Sequence, residues 1–297
     1  MIAFVLSGGG SLGAIQAGML EALLERDIVP DALVGTSIGA ANAAFLAADP
    51  TLSRAQALSN LWRSLKPRHI FPLGPIRTLN ALRRDGSLFP TAPLRELIER
   101  HSPYLHIQRA GIPLRIVATD FADGTEVVFE SGPVADAVLA STALPGVFPP
   151  HSVSGRLYLD GGLVDHVPLA PAITMGADTI YVLSCGFPCP PHANHRSARS
   201  VLAHSMGILL SQRVRVDVQQ VPENHPGLKI VSLPPVCRHA GLRDLGRAAS
   251  LIEQARSQTR LFLAGQPCDT CAHEKSRRSD NAPVEEVVRL RADLGVA

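Results

Sequence analysis

One serine of this chain has the surroundings that nucleophilic chemistry requires. Ser37 has Gly35 two positions before it and Gly39 two positions after it. The apolar run 32–34 precedes this motif, and the alanine-rich stretch 40–47 follows it. A strand, a sharp turn and a helix in this order leave a serine hydroxyl exposed at a helix N-terminus, where a developing anion is also favoured. The sequence therefore predicts Ser37 as a nucleophile.

A second glycine cluster precedes the serine. Gly8, Gly9, Gly10 and Gly13 follow the apolar run 2–6 and open a stretch with helical periodicity. Three consecutive glycines expose backbone N–H groups with no side chains in the way, which suits anion binding. We interpret this loop as an oxyanion hole beside the nucleophile. The alternative is a tight strand-to-helix turn with no chemical role.

The same glycine spacing also fits the dinucleotide fingerprint Gly-x-Gly-x-x-Gly. That fingerprint requires an acidic residue at the end of the next strand. Here the next strand runs into the motif around Ser37, and Asp31 precedes the strand. A phosphate-binding P-loop is also excluded, because the cluster lacks the Gly-Lys-Ser/Thr ending.

A carboxylate offers the base that a nucleophilic serine needs. The stretch 156–160 is typical of a strand that ends at Asp160, and Gly161 and Gly162 then turn the chain away. A carboxylate in this position can accept a hydrogen bond from a serine hydroxyl on a neighbouring element. The alternative is an Asp-Gly turn that only caps a strand.

These three motifs, in this order, resemble the patatin-like phospholipase family. The resemblance covers roughly residues 2–184, and a looser helical continuation extends to about 264. Weaker similarities to the family lie at 117–120, 140–150 and 163–169.

The resemblance implies an α/β fold with a mainly parallel central sheet flanked by helices, a three-layer sandwich. It also implies hydrolysis of lipid acyl esters, of the phospholipase A or lysophospholipase type, without metal or other cofactor. Carried onto this chain, Ser37 is the nucleophile, Asp160 is the base, and Gly8, Gly9 and Gly10 supply the oxyanion N–H groups. The glycines that support these motifs are Gly13, Gly35, Gly39, Gly161 and Gly162.

Two positions depart from the family pattern. Leu12 stands where the family usually has Arg or Lys, and His166 stands where Asn is common. We expect Leu12 to lie on the substrate side of the oxyanion loop and to influence head-group preference. We do not expect it to take part in the chemistry.

Two other functions remain as alternatives. An ordinary α/β-hydrolase would use a triad of Ser37, Asp160 and a later histidine, for which His166, His192 and His195 are candidates. Only one strand-helix unit precedes the serine here, whereas several strands normally precede it in those enzymes. A non-catalytic lipid-binding or regulatory protein on the same fold is the second alternative.

Composition sets limits on partners and location. The 297 residues are 46% hydrophobic and carry a formal net charge of +2, so no general electrostatic attraction to nucleic acid is expected. No uninterrupted apolar stretch is long enough to span a bilayer, and the N-terminus lacks the features of a signal peptide. We therefore expect a cytoplasmic protein, with peripheral contact to the inner face of the membrane as a further option. The sequence does not indicate an oligomeric state.

Two units are predicted along the chain. Residues 1–264 form the hydrolase domain, and residues 265–297 form a polar, mobile tail. The tail holds Cys268 and Cys271 in a Cys-x-x-Cys spacing, but no second such pair completes a zinc site. We predict unpaired thiols and no metal, because five cysteines without an export signal favour a reduced compartment.

Several further elements are predicted from apolar periodicity and turn residues. Residues 66–92 fit an active-site flap, a membrane-facing loop and a plain surface connection equally well. One helix is predicted from Ser53, with Gln56 completing a capping box, and another is predicted to be capped by Thr91. The remaining predicted segments are strands at 114–118, 126–129, 179–183 and 228–233, helices at 202–218 and 244–263, and a loop at 186–198.

Overall fold

The computed structural model describes residues 1–72, 87–185, 225–234, 236 and 244–266. The predicted loop at 186–198, the predicted helix at 202–218 and the tail after residue 266 lie outside the described residues. Of the stretch 66–92, the structure describes the two ends.

The described strands form one mixed sheet of eight strands. Hydrogen-bonded neighbours follow the order β5-β6-β3-β2-β1-β7-β8, and β4 pairs with β3 outside this path. The strands are β1 (Ile2–Leu6), β2 (Ala32–Thr36), β3 (Leu114–Asp120), β4 (Glu126–Phe129), β5 (His151–Val153), β6 (Arg156–Asp160), β7 (Thr179–Leu183) and β8 (Lys229–Ser232).

The continuous part of the sheet is parallel. Strands β3, β2, β1, β7 and β8 pair in parallel, while β4, β5 and β6 join antiparallel at one side. The central strands β1 and β2 are almost completely buried, as expected for parallel strands with helices on both faces. The predicted mainly parallel α/β sheet is confirmed.

Helices cover both faces of this sheet. Phe4, Leu6 and Ile116 belong to the large core under most of the helices, whereas Val5 and Val117 belong to a smaller core on the other face, where α7 packs. Alternation of side chains along each strand produces these two cores and hence three layers. The helices are α1 (Gly13–Leu24), α2 (Ile38–Leu46), α3 (Leu52–Ser64), α4 (Pro67–Ile70), α5 (Ala92–His101), α6 (Val134–Ser141), α7 (Leu169–Thr174) and α8 (Ala248–Leu263).

Strands β2 and β6 lie on the same edge of β3, one after the other. The first half of β3 pairs with β2, up to Thr36 opposite Val117, and the second half pairs with β6, from Asp160 opposite Ala118. Strand β4 pairs with residues from both halves and therefore occupies the opposite edge. Because β6 runs antiparallel to β3, the carboxyl ends of β2 and β6 face each other at the middle of β3.

The predicted helix starts need three corrections. Helix α3 begins at Leu52, and its N-cap is Thr51, whose hydroxyl accepts the Arg54 N–H at 3.3 Å, so the capping box predicted at Ser53 is wrong. Thr91 precedes α5 as predicted, but its side chain makes no capping hydrogen bond because its own backbone is already helical. Helix α8 begins at Ala248, since a 3-10 turn occupies residues 245–247.

Candidate active site

Ser37 occupies a strained turn between β2 and α2. Its backbone has φ 56° and ψ −126°, a conformation that L residues rarely adopt. A Cβ on Gly35 would lie 2.6 Å from the Ala40 Cα, and a Cβ on Gly39 would lie 2.3 Å from the Leu6 carbonyl oxygen. Both glycines are therefore required for the close crossing of strand and helix that exposes the serine.

The hydroxyl of Ser37 contacts Asp160 directly. Ser37 Oγ donates to Asp160 Oδ2 at 2.6 Å, and the Gly162 N–H donates to Asp160 Oδ1 at 2.8 Å. The Thr119 hydroxyl donates to the Asp160 carbonyl oxygen at 2.8 Å. The carboxylate and its backbone are therefore both held in place.

The meeting of β2 and β6 explains how residues so far apart in sequence come into contact. Ser37 follows the last residue of β2, and Asp160 is the last residue of β6. The chain turns away immediately after Asp160, because Gly161 passes so close to β3 that a Cβ would lie 2.2 Å from the Val117 carbonyl oxygen. Only glycine fits at this position.

Burial changes the acidity of Asp160. The carboxyl group is buried, and this desolvation raises its pKa to about 6, against the opposing effects of the hydrogen bonds from Ser37 and Gly162. A carboxylate with a pKa in this range is ionised at neutral pH, yet it is basic enough to accept a proton during a reaction.

The glycine loop lies against the serine. A Cβ on Gly8 would lie 3.3 Å from the Ser37 Cβ, and one on Gly9 would lie 2.4 Å from the Cys185 Cβ, so neither position has room for a side chain. The Gly8 N–H donates to the His166 carbonyl oxygen at 3.3 Å. Within the described part of the chain, the N–H groups of Gly9 and Gly10 donate no hydrogen bond.

A buried polar network supports this loop and was not predicted from the sequence. Gln16 Nε2 donates to the Ser7 carbonyl oxygen at 2.9 Å, and Asn42 Nδ2 donates to Gln16 Oε1 at 2.8 Å and to the Gly13 carbonyl oxygen at 3.0 Å. Trp62 Nε1 donates to Asn42 Oδ1 at 3.0 Å. An amide side chain within each of two apolar helices was the available signal, because buried polar groups need partners.

Leu12 is a buried residue. It belongs to the 3-10 turn that precedes α1, and its side chain packs in the large core. The expectation that Leu12 lies on the substrate side of the loop stays a prediction. An apolar side chain at this position gains more by joining the core beneath the loop than by facing solvent.

His166 lies beside the dyad without separating its members. Its ring lies next to the Cα positions of Gly8 and Gly162, where added Cβ atoms would come within 2.9 and 3.2 Å of the ring atoms Cε1 and Nδ1. Burial lowers the His166 pKa to about 4, so the ring is neutral. The other two histidines considered for a triad, His192 and His195, lie outside the described residues.

Of the five cysteines, the described residues include Cys185 alone, which is buried next to the glycine loop. Cys268 and Cys271 lie outside the described part. Among the described residues, no group of three or more His, Cys, Asp or Glu side chains could hold a metal ion. The same residues include no helix that is long and apolar enough to span a membrane.

Known proteins share parts of this sequence. An uncharacterized NTE family protein of Mycobacterium tuberculosis is 32% identical over 183 residues, which cover 62% of this chain and 48% of that protein. Mouse patatin-like phospholipase domain-containing protein 6 is 30% identical over 187 residues, which cover 62% of this chain and 13% of that protein. The chain therefore spans less than half the length of either relative.

The structure also has a weaker likeness to solved structures. VipD from Legionella pneumophila aligns with 89% of this chain and 67% of its own, at 15% identity and a TM-score of 0.47. The type III effector ExoU aligns with 89% of this chain and 52% of its own, at 17% identity and a TM-score of 0.46.

The family assignment rests on the sequence match. Residues 4–173, more than half of the chain, match the family described as Patatin-like phospholipase. This region includes the glycine loop, Ser37 and Asp160. The chain belongs to the patatin-like phospholipase family.

Proposed function

We propose that this protein is a serine acyl-ester hydrolase that acts on lipids, of the phospholipase A or lysophospholipase type. The observation that carries the proposal is the 2.6 Å hydrogen bond from Ser37 Oγ to Asp160 Oδ2, made at a strained strand-to-helix turn beside a glycine loop. Membership of a family of lipid acyl hydrolases supports the substrate class.

In the acylation step, Ser37 Oγ attacks the ester carbonyl carbon while its proton passes to Asp160. The tetrahedral intermediate collapses as the bond to the alcohol oxygen breaks, and Asp160 returns the proton to that oxygen. Water then attacks the acyl carbon of the acyl-enzyme while its proton passes to Asp160. The bond from the acyl carbon to Ser37 Oγ breaks, Asp160 returns the proton to that oxygen, and the free fatty acid leaves. Asp160 is restored after each half-reaction.

Backbone N–H groups of the glycine loop are proposed to stabilise the oxyanion. Gly9 and Gly10 are the preferred donors, because their N–H groups make no other hydrogen bond within the described part of the chain. Gly8 was a candidate on sequence grounds, but its N–H is engaged by the His166 carbonyl oxygen. Gly8 contributes in this proposal by bringing the loop against Ser37.

The direct serine–carboxylate contact favours a dyad over a triad. In a triad, an imidazole lies between the serine and the carboxylate. Here the two side chains hydrogen-bond to each other, which leaves no space for a ring between them. A non-catalytic lipid-binding protein would have no need for the strained serine or for a carboxylate buried beside it.

A covalent probe and a lipid mixture test the proposal. We expect a fluorophosphonate to label Ser37 and no other serine, as shown by peptide mapping. We also expect the wild-type protein to release free fatty acid from mixed phospholipids and lysophospholipids, while Ser37→Ala releases none. Labelling elsewhere, or equal release by both proteins, would refute the proposal. The lysolipid or alcohol formed identifies the preferred head group, and the fate of the acyl group, as free fatty acid or as a new ester, separates hydrolysis from acyl transfer.

A further inference from the structure

We infer that Ser141 is a positioning residue. It holds the backbone of Ser37 in its strained conformation and at the position along β3 where the Ser37 side chain meets Asp160. This inference rests on the proposed function for its effect on catalysis, but its geometric part does not depend on it. Ser141 is the last residue of α6, and neither the glycine loop nor the motif around Ser37 contains it.

The Ser141 hydroxyl links two backbone groups. It accepts the Ser37 N–H at 2.7 Å and donates to the Val117 carbonyl oxygen at 2.5 Å. The side chain is completely buried, so water does not replace either partner. A hydroxyl has one donor, and donating it to Val117 turns the oxygen lone pairs towards Ser37.

The position of Val117 makes this link relevant to the dyad. Val117 lies opposite Thr36, the last residue of β2, and next to Ala118, which lies opposite Asp160. The Ser141 hydroxyl therefore links the turn at Ser37 to the part of β3 that also pairs with Asp160. Without it, a backbone with φ 56° would lose the partner that offsets its strain.

The same hydrogen bond also engages the backbone N–H of Ser37. Because the Ser37 N–H donates to Ser141, it is not available to an oxyanion. The glycine-loop N–H groups proposed as oxyanion donors have no other acceptor within the described part of the chain. Ser141 thus orients Ser37 and keeps the Ser37 N–H away from the reacting oxygen.

A neighbouring threonine provides a matched control. Thr142 is also buried, but its hydroxyl donates to the Val138 carbonyl oxygen at 2.8 Å within the same turn of chain and does not touch the serine. Thr142→Val removes a buried hydroxyl one residue away. A purely structural role for Ser141 would make the two variants equivalent.

We expect Ser141→Ala to lower kcat for a soluble ester about 100-fold, with KM little changed, because a misplacement of about 1 Å can cost that much. The fluorophosphonate labelling rate of Ser37 should fall in parallel. Thr142→Val should keep kcat within about threefold of the wild-type value, since the nucleophile is untouched. We expect this even if Thr142→Val lowers the melting temperature as much as Ser141→Ala does. Equal kcat values for the two variants, or a Ser141→Ala enzyme within about threefold of wild type, would overturn the inference.

Two further measurements keep the inference testable if Ser141→Ala does not fold. Ser141→Thr keeps a hydroxyl and Ser141→Cys does not, so Thr should be at least about tenfold more active per folded molecule, and equal activities would contradict the role. Hydrogen exchange of the Ser37 N–H should be slow in the wild type and faster in the Cys variant. This exchange result stands or falls independently of lipid hydrolysis, which the Ser37→Ala comparison tests separately.

Discussion

At the scale of single residues, Ser37 and Asp160 are both in unfavourable states that the fold maintains. The serine backbone is outside the usual regions for an L residue, and the aspartate is ionisable in a buried environment. Neither state would persist unless the surrounding structure fixed it. Their hydrogen bond places the two unfavourable states in direct contact, which is typical of a site selected for reactivity.

The first prediction concerns the roles of these two residues. Ser37→Ala and Asp160→Asn should each reduce kcat/KM by about 10² to 10⁴ or more, and the double variant should be little worse, because nucleophile and base act as a unit. His151→Gln serves as a control, since His151 contacts Asp136 at 3.1 Å and not the dyad, and it should stay within about tenfold. A folded His151 or His166 variant that is as inactive as Ser37→Ala would restore the triad.

The second prediction concerns pH. Only the ionised Asp160 can accept the serine proton, and its pKa is raised to about 6. We expect kcat/KM to be constant above neutrality and to fall about tenfold per pH unit below about pH 6. His166→Asn should leave this acidic limb in place, because the His166 pKa lies near 4. An activity that is flat down to about pH 5 would argue against Asp160 as the base.

The third prediction concerns stability. The folded-state pKa of Asp160 is higher than its unfolded value of 3.8, so the folded protein binds the proton more tightly. The resulting stabilisation is present below the unfolded pKa and is lost as pH rises through about 6. Asp160→Asn, which is uncharged, should therefore raise the free energy of unfolding at pH 8 by about 1–3 kcal/mol, with a much smaller gain at pH 4.

Urea denaturation at the two pH values measures this difference. Asp123→Asn is the control, because the Asp123 carboxylate is exposed and its pKa is lowered by hydrogen bonds from Thr125, so no gain is expected. A destabilised Asp160→Asn at pH 8 would show that burial of the charge costs the fold little.

At the scale of elements, the site depends on close crossings of backbone that only glycine allows. The fourth prediction tests one of them. In Gly39→Ala, the new Cβ would lie 2.3 Å from the Leu6 carbonyl oxygen and 2.5 Å from that of Ser7, both of which are backbone atoms. We expect a loss of about 1–3 kcal/mol in unfolding free energy and a large loss of activity, as helix α2 shifts away from β1.

Gly246→Ala is the matched control for this change. Its Cβ would meet only Asp244 Oδ1, at 3.8 Å, which is an ordinary contact. Thermal melts and ester hydrolysis of both variants measure the difference. Equal stabilities would mean that the crossing of β1 and α2 is looser than the structure indicates.

Elements with a clear periodicity or run of apolar residues could be predicted from the sequence. Strands β1, β2 and β6 and helices α1 and α2 follow from apolar runs bounded by glycines, and this placed Ser37 and Asp160 at strand ends. The head-on meeting of β2 and β6 could not be predicted, because strand direction and register depend on long-range pairing. The cap of α3 by Thr51 and the burial of Leu12 were missed for a related reason. Both depend on contacts with other residues that form only in the folded chain.

At the scale of the whole molecule, the two ends of the sheet differ. Phe121 and Leu157 are exposed at the end of the β3–β6 pair beyond Ser37, joined by a hydrogen bond from the Phe121 N–H to the Leu157 carbonyl oxygen at 3.0 Å. Val29 and Leu105 are exposed near the amino ends of β2 and β3. These four are the exposed large hydrophobic residues of the described part of the chain.

The fifth prediction uses this asymmetry to test peripheral membrane contact. If the end that carries the dyad faces the bilayer, Phe121→Ser with Leu157→Ser should lower hydrolysis of phospholipid vesicles about tenfold and leave a soluble ester nearly unchanged. Val29→Ser with Leu105→Ser should affect neither substrate. Equal effects of the two pairs on vesicles, measured by sedimentation and fatty acid release, would contradict contact through this end.

The meeting of β2 and β6 on one edge of β3 also allows Ser37 and Asp160 to be separated without unfolding the whole sheet. Ser37, the proposed nucleophile, follows the central strand β2, whereas Asp160, its proposed base, lies on an antiparallel hairpin of β5 and β6 that pairs with β3. Detachment of that hairpin would separate the Asp160 carboxylate from the Ser37 hydroxyl, while the parallel strands would stay paired. Such a local opening would inactivate the protein without unfolding it, and a ligand that binds only the detached hairpin would inhibit the protein by mass action.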